Sequence, residues 1–287
     1  MSKKLELRIA DLNISIEGDI PLDEWEIPTS YKPFVQSGKE DIQLRLHRKG
    51  LNGKLGKKTF DCPPIWALYR QNGTSVIKIH HELHDLARTL VLAPPIEKAD
   101  LYFTDKSPRF LDPFFGPTME LLMVHSLAEG KGAIIHACGI SKDGKGILFV
   151  GESGAGKSTI AKMWDQEPGV DVLSDDRNIV RKKGDRFWVH GTPWHGDAKF
   201  ASAESVVLER IFFLRQGKEN AISEIKEIHP VSLFLTTSFP PFWDADGMVY
   251  TLEMLTDLTT QVPCQELTFK PDRSIIDFVL KELEIGN

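Results

Sequence analysis

The stretch Gly151-Glu152-Ser153-Gly154-Ala155-Gly156-Lys157-Ser158-Thr159 constrains the fold more than any other part of the chain. It matches the phosphate-binding loop pattern G-x-x-x-x-G-K-[ST], or Walker A motif, at every fixed position. The short apolar run 146–150 before it predicts a buried strand, and residues 157–166 after it predict a helix that ends before Pro168-Gly169. This strand–loop–helix order distinguishes a real phosphate-binding loop from a chance match, so we expect a nucleotide to bind here.

Each part of this loop has a separate task in holding a triphosphate. The glycines let the backbone curl so that its N–H groups point at one anion, and the helix N-terminus adds about half a positive charge. Lys157 is predicted to reach the β- and γ-phosphates, and the Ser158 hydroxyl to ligate Mg²⁺. ATP and Mg²⁺ are therefore the expected cofactors.

Composition and charge indicate the compartment and the classes of partner to expect. The net charge of −6 and the pI of about 5.9 give no overall basic field for nucleic acid. The N-terminus lacks the apolar run of a signal peptide, and no apolar stretch is long enough to span a membrane. Cys62, Cys138 and Cys264 are far apart and odd in number, which favours reduced thiols over disulfides. We therefore expect a cytoplasmic protein with no nucleic-acid or membrane partner.

The hydrophobic pattern divides the chain into two regions. Residues 1–105 predict a small β-rich domain of unknown role, and residues 106–287 an α/β (α+β) P-loop domain. Alternating apolar and polar residues predict strands at 5–9, 12–16 and 42–47 in the first region. Apolar runs between polar or Gly/Pro segments predict further strands at 75–79, 89–92 and 101–103.

The second region has an unusual approach to the loop. An amphipathic helix is expected from about residue 118, followed by a strand at 133–140 and a tight turn at 141–145 that leads directly into the loop strand. An ordinary parallel P-loop unit would have a helical crossover at that point. Further along, the pattern predicts a hairpin at 178–189, strands at 210–214 and 266–270, and helices at 230–239, 248–258 and 272–283.

Two adjacent acids follow the next strand after the loop helix. Residues 170–173 predict this short strand, and Asp175 and Asp176 come directly after its end. Magnesium and phosphate chemistry needs an acid at such a strand end. Adjacent side chains on an extended chain point in opposite directions, so one carboxylate can face the metal and the other an acceptor hydroxyl.

A later loop, residues 191–197, is rich in Gly, Pro and aromatic residues and contains His195 and Asp197. Loops on a rigid scaffold often carry ligand contacts, so we expect His195 and Asp197 to contact substrate, together with Arg177 beside the acid pair. The alternative is a structural turn in which Trp194 packs and His195 is merely polar.

The segment from about Ile134 to Val180 resembles the catalytic domain of HPr kinase/phosphorylase. The resemblance is carried by His136 in a strand ahead of the loop, by the hairpin that leads into Gly151–Ser158, and by Asp175-Asp176-Arg177. The phosphoenolpyruvate carboxykinases share this general core, so the resemblance implies their type of P-loop fold. Members of the HPr-kinase-like group phosphorylate serine in proteins, in peptides or as the free amino acid.

The resemblance also implies roles for individual residues. Asp175 would accept the proton of the incoming serine hydroxyl and Asp176 would help to hold Mg²⁺, although these two roles could be exchanged. Lys157 would contact the phosphates and His136 would lie near the γ-phosphate. His136 could instead be a buried core histidine. Related enzymes form oligomers, which implies a possible homo-oligomer.

The sequence departs from the bifunctional enzymes of that family. Thr159 stands where they usually have an acid, and their later phosphorolysis motif is matched only weakly by Glu209-Arg210. We therefore expect a kinase for a serine hydroxyl on a peptide, a protein or a small molecule, with HPr and the reverse reaction left open. Alternatives are a nucleotide-binding regulator, a transport-type ATPase, although no Leu-Ser-Gly-Gly-Gln signature occurs, or a carboxykinase-like lyase.

Overall fold

A computed structural model describes residues 4–20, 26–81, 86–103, 112–226 and 228–285. These residues form two compact units. The first unit runs to Glu129 and also includes Pro241–Ala245, and the second comprises Gly130–Pro240 and the residues that follow Ala245. Each unit contains one eight-stranded sheet, and helices accompany them, so the fold is mixed α/β with most regular structure in the sheets.

The sheet of the first unit confirms that this region is rich in β-structure. Its strands are β1 (Leu5–Ile9), β2 (Leu12–Gly18), β3 (Ile42–His47), β4 (Lys57–Cys62), β5 (Trp66–Gln71), β6 (Thr74–His81), β7 (Leu86–Leu92) and β8 (Lys98–Phe103). They lie in the order β1-β2-β3-β8-β7-β6-β5-β4. Strand β3 is parallel to both β2 and β8, and the other neighbours are antiparallel.

Burial explains which of these strands the sequence predicts. Strands β1 and β3 bury every second residue against the core, which produces the alternation seen in the sequence. Strand β4 has no buried residue, and β5 buries three consecutive residues from Trp66 to Leu68. Neither strand alternates between buried and exposed residues, so the hydrophobic pattern contains no signal for them.

Helix α1 (Thr118–Leu127) lies in the first unit, although the sequence pattern grouped it with the P-loop region. The prediction of an amphipathic helix is wrong, because nine of its ten residues are buried. A helix enclosed on all sides needs no polar face. Its buried His125 donates from Nδ1 to the Leu121 carbonyl and accepts at Nε2 from the Trp243 indole N–H, each at 2.9 Å.

The elements of the second unit follow the predicted order closely. Its strands are β9 (Ala133–Lys142), β10 (Lys145–Val150), β11 (Val170–Ser174), β12 (Arg177–Lys183), β13 (Arg186–His190), β14 (Ser205–Gln216), β15 (Ala221–Ser223) and β16 (Cys264–Phe269). Its helices are α2 (Lys157–Trp164), α3 (Pro230–Thr236), α4 (Ala245–Gln261) and α5 (Ser274–Ile285). The predicted hairpin before the loop is confirmed, since β9 and β10 pair antiparallel. Strand β15, which has only three residues, has no counterpart in the sequence analysis.

The sheet of the second unit closes on itself. Its order is β10-β9-β12-β13-β14-β16-β15, β11 pairs with β9, and an additional parallel pairing joins β10 to β14. Strand β10 is therefore hydrogen-bonded on both edges. Its alternate residues enter two different core clusters, Leu148 and Val150 in one and Ile147 and Phe149 in the other. Burial on both faces explains why this strand is continuously apolar.

This arrangement places the end of β10 between two neighbours that carry polar residues. Val150 pairs with Ala137 of β9 on one edge and with Phe213 of β14 on the other. His136 is next to Ala137 in the chain, and Gln216 ends β14, so both strands bring side chains toward the glycine-rich loop at 151–157. No helix in the described part of the chain is both long enough and apolar enough to span a membrane.

Candidate active site

The glycine-rich loop connects the buried end of β10 at Val150 to the first residue of α2, Lys157. Gly154 and Gly156 have positive φ angles of 83° and 105°, which non-glycine residues rarely adopt. A Cβ on Gly156 would also lie 2.4 Å from Cζ of Phe269, a distance shorter than van der Waals contact. The loop conformation therefore depends on glycine at this position, as the motif requires.

Lys157 lies at the base of this loop and is only 6% exposed. Its Nζ donates to the carbonyl oxygens of Gly151 at 2.8 Å and Glu152 at 2.9 Å. Burial lowers the pKa of Lys157, while the nearby carboxylates of Asp176 and Asp175 oppose that shift. The ammonium group is thus held among loop carbonyls, at the helix end where an anion would be favoured.

Asp175 is buried and fully engaged by hydrogen bonds. Its side chain accepts the backbone N–H groups of Gly196 and Ala198, each at 2.9 Å, and of Phe200 at 3.3 Å. It also accepts the Ser158 hydroxyl at 3.0 Å. Asp175 is 1% exposed, so this carboxylate joins the loop around residue 198 to the first turn of α2.

Asp176 lies in a different environment, although it is the next residue. One of its oxygens accepts Nε2–H of His136 at 3.0 Å, and the other accepts the guanidinium of Arg177. Arg177 also lies over the ring of Phe239, 5.0 Å from its centroid. Burial alone would raise the pKa of Asp176, but the His136 hydrogen bond and the Arg177 charge outweigh it and lower the pKa. Asp176 is therefore kept ionised while its side chain stays 21% exposed.

A cavity of about 400 Å³ unites the loop with this cluster. It is lined by His136, Ser153, Gly154, Gly156, Lys157, Ser158, Thr159, Asp176, Gly196, Asp197 and Gln216. His136 borders a cavity, in contrast to the alternative of a buried core histidine. The other loop residues of the motif, Gly151, Glu152 and Ala155, line an adjacent cavity.

The loop at residues 191–197 combines both alternatives considered for it. Trp194 is 6% exposed and packs as a structural residue would, whereas Gly196 and Asp197 border the 400 Å³ cavity. His195 is not among the described residues that line this cavity, and its Nδ1 instead lies 2.9 Å from the carbonyl of Gly196. The structure thus brings Asp197 to the site and leaves His195 at its border.

Three further residues support the site without having been predicted. The Ser174 hydroxyl donates to the Trp194 carbonyl at 3.2 Å and accepts the N–H groups of Asp176 and Arg177 at 3.4 Å. The Asn178 amide donates to the carbonyls of Ala137 and Ser174. The Gln216 amide donates to the Gly154 carbonyl at 2.8 Å. Ser174 and Asn178 flank the acid pair in the sequence, whereas no local signal marks Gln216.

The donor set in this cavity suits a hard cation. The Ser158 hydroxyl and the Asp176 carboxylate supply oxygen ligands on this cavity, which Mg²⁺ prefers, and Mg²⁺ is usually held by one or two carboxylates together with substrate phosphates. Across the described residues, no group of three or more His, Cys, Asp or Glu side chains is placed to hold a metal ion by itself. All three cysteines are free thiols, and burial raises the pKa of Cys138.

Comparison with known proteins gives one family match. Residues 118–254 match the model of a family described as SynChlorMet cassette protein ScmC. The matched range is just under half of the chain, and it contains the glycine-rich loop, His136, the acid pair and Asp197. A comparison with curated proteins finds no match. The family description names no reaction.

Proposed function

We propose that this protein is an ATP-dependent kinase that transfers the γ-phosphate to a hydroxyl group, that of serine in a peptide, in a protein or as the free amino acid. The observation that carries the proposal is one cavity bordered both by the phosphate-binding loop and by the ion-paired Asp176. A phosphate donor and a carboxylate that can orient a hydroxyl would meet there. This is also the arrangement that the resemblance to HPr kinase implies.

Phosphoryl transfer makes modest demands on the protein. Its transition state is loose in most analyses, so catalysis consists of positioning and of stabilising negative charge. Lys157 and the N–H groups at the start of α2 would bind the phosphate oxygens. When bound between Ser158, an aspartate and the phosphates, Mg²⁺ would neutralise part of their charge.

The geometry favours an exchange of the two aspartate roles relative to the first assignment from sequence. Asp175 accepts four hydrogen bonds and is almost fully buried, so an incoming hydroxyl has no access to it. Asp176 borders the cavity. We therefore assign to Asp176 the orientation and deprotonation of the acceptor hydroxyl, and to Asp175 the support of Ser158 on the metal side.

His136 and Arg177 would act on this reaction through Asp176. Each occupies one oxygen of the carboxylate, so together they fix its rotation. A lowered pKa makes Asp176 a weak base. A weak base is sufficient to deprotonate the acceptor hydroxyl, because the proton leaves late when the transition state of phosphoryl transfer is loose.

Paired substitutions of the two aspartates test these roles. Asp176→Asn should lower phosphate transfer about 10³-fold, because an amide cannot accept the hydroxyl proton, while Mg-ATP affinity stays within a few-fold. Asp175→Asn should weaken Mg-ATP binding and lower stability, because its amide N–H₂ group would oppose backbone N–H donors. Asp185→Asn, in the exposed turn between β12 and β13, is the matched control.

The assay uses ATP labelled at the γ-phosphate with free serine, serine-containing peptides and an HPr-like protein as acceptors, and calorimetry for Mg-ATP affinity. Loss of transfer in Asp175→Asn with unchanged Mg-ATP affinity, and normal transfer in Asp176→Asn, would restore the first assignment. ATP hydrolysis without transfer to any acceptor would favour an ATPase or a nucleotide-binding regulator and would contradict the kinase proposal.

A further inference from the structure

Strand β4 (Lys57–Cys62) forms one edge of the sheet in the first unit. It pairs with β5 on one side, and no strand in the described part of the chain pairs with its other side. Four of its six residues are exposed and none is buried. The backbone N–H and C=O groups along the outer side are therefore open to solvent and can pair with an added strand. The reaction proposed above makes no use of this edge.

This edge lies at the end of a basic stretch. Residues 42–60 contain six Lys and Arg side chains and no Asp or Glu, in a chain whose net charge is −6. Lys54 and Lys57 are exposed, and neither has an ion pair with another described residue. Lys58 pairs with Asp61 at 2.8 Å, but both side chains are 48% exposed, so water screens this pair. A strand that binds here therefore meets an excess of positive charge.

A β-bulge gives the two faces of β4 different chemistry. The register with β5 shifts between Lys58 and Phe60, which makes Thr59 the extra residue. Lys58 and Phe60 pair with adjacent residues of β5, so their side chains point to opposite faces of the sheet. Phe60 is half-buried and stacks on Trp66, with 5.2 Å between the ring centroids. One face of the edge is therefore aromatic, and the opposite face carries a lysine.

We propose that the open edge of β4 binds an extended acidic segment of another polypeptide, which adds a ninth strand to this sheet. Main-chain hydrogen bonds would supply affinity, and side chains at alternate positions would supply selectivity. Acidic residues beside Lys57 and Lys58 would form cross-strand pairs of opposite charge, and an apolar residue beside Phe60 would cover its exposed part. This inference concerns the first unit alone and does not rest on the kinase proposal.

The same charges disfavour other occupants of the edge. Asp61 is the only acid among residues 42–62, so pairing of two β4 edges would bring two basic stretches together. Lysines on an edge strand deter indiscriminate pairing, and a strand rich in acids is the kind that this deterrent admits. A nucleic acid would be attracted by the lysines, but it cannot continue the ladder of alternating N–H and C=O groups.

Panning of a displayed library of random peptides against the full chain identifies the chemistry of the partner. The parallel targets are the double variant Lys57→Glu/Lys58→Glu and the control Lys32→Glu/Lys39→Glu, which reverses the same number of exposed lysines elsewhere in the first unit. We expect the wild type and the control to enrich peptides rich in Asp and Glu that also contain an apolar residue. The double variant should not enrich them.

The most enriched sequence is then synthesised, and its affinity is measured by calorimetry. The affinity should fall about tenfold or more for Lys57→Glu/Lys58→Glu and stay within twofold for the control. Equal midpoints of urea unfolding show that all three proteins are folded. N-methylation of alternate peptide amides separates strand addition from simple charge attraction, because only one of the two sets of amides would face β4. Methylation of that set should abolish binding, and methylation of the other set should not.

Several results would overturn the inference. These are failure to enrich any sequence, enrichment without an excess of acids, equal enrichment on the charge-reversed variant, and equal effects of the two methylated peptides. A wild-type dimer in sedimentation whose dissociation constant changes in Lys57→Glu/Lys58→Glu would assign the edge to a second copy and would also overturn it. The kinase proposal stands in each case, because Mg-ATP affinity and phosphate transfer are measured separately.

Discussion

Both units bury charged side chains, but they do so in different surroundings. In the first unit, Arg88 is 5% exposed and lies between the rings of Phe103 and Phe115, at 5.3 and 4.8 Å from their centroids. In the second unit, Lys157 is 6% exposed and borders the cavity beside Asp176. Arg88 and Lys157 are therefore buried to nearly the same extent in very different surroundings.

The hydrogen-bond partners make the same distinction. Arg88 donates to the carbonyls of Asp112 and Phe115, at 2.8 and 3.0 Å, in a segment that its guanidinium holds against β7. Lys157 donates to carbonyls of a glycine-rich loop, from which a phosphate could displace it. Burial of a charge therefore does not reveal its role, whereas access to a cavity and the replaceability of its partners do.

The largest expected effect is that of Lys157→Met, which keeps the length of the side chain and removes its charge. Phosphate transfer should fall about 10³-fold, because the developing charge loses a preorganised donor. The free energy of unfolding should change by less than about 1 kcal/mol, because Gly151 and Glu152 border a cavity in which water can replace the donor that their carbonyls lose. Transfer assays and urea unfolding measure the two quantities.

Lys162→Met on the same helix, where the lysine is exposed, is the control and should alter neither quantity. Transfer by Lys157→Met within tenfold of the wild type would show that this loop is not the phosphate site. The buried Lys157 would then have no role in phosphate binding, and the proposed difference between Lys157 and Arg88 would be wrong.

Arg88→Met should show the opposite pattern. Removing the guanidinium leaves two buried carbonyls without their donor and takes away its contacts with both rings, so stability should fall by about 3–5 kcal/mol. Mg-ATP affinity of the folded protein should stay within twofold. Arg45→Met, on the exposed face of β3, should change stability by less than about 0.5 kcal/mol. A loss below about 1 kcal/mol for Arg88→Met would contradict the structural role.

The buried His125 of the first unit should make the stability of the protein depend on pH. Burial lowers its pKa to about 4, and the nearby Arg70 charge acts in the same direction, while the hydrogen bond with the Leu121 carbonyl and the Asp244 charge partly oppose the shift. In the unfolded chain His125 takes up a proton near pH 6.5, whereas in the folded protein it does so only near pH 4. With respect to this group, the free energy of unfolding is therefore largest above pH 6.5 and decreases as pH falls from 6.5 toward 4. The loss should be at most about 3 kcal/mol.

Urea unfolding between pH 7 and 4 measures that loss, with fluorescence of the tryptophans as the signal. His125→Gln should flatten the dependence over this range, and His229→Gln, at an exposed helix start, should leave the wild-type slope unchanged. An equal slope in wild type and His125→Gln would mean that another group controls the acid sensitivity.

Local sequence signals predicted the parts of the site that depend on near neighbours. The motif at 151–159 specifies its own glycine conformations, and the acid pair follows directly from the end of β11. The orientation of these acids could not be predicted in this way, because Asp175 is held by amides around residue 198. Adjacent residues on a strand point apart, but sequence does not tell which one faces the cavity.

The remaining gaps have two causes, long-range register and unusual burial. Gln216 reaches the loop because Val150 pairs with Phe213, and no local pattern encodes the register of strands so distant in sequence. Strand β4 was missed because an exposed edge strand needs no buried residues. The sequence predicts an amphipathic helix at α1, but the residues of this helix are buried on all sides and not along one stripe.

The return of the chain to the first unit at Pro241–Ala245 has a practical consequence for dissecting this protein. Trp243 from this segment contacts Phe60, Trp66 and His125, so a fragment that ends at Glu129 would lack part of its own aromatic core. A fragment that begins at Gly130 would instead expose that indole to solvent. The two units are separate bodies but interleaved stretches of sequence, and neither can be excised by a single cut.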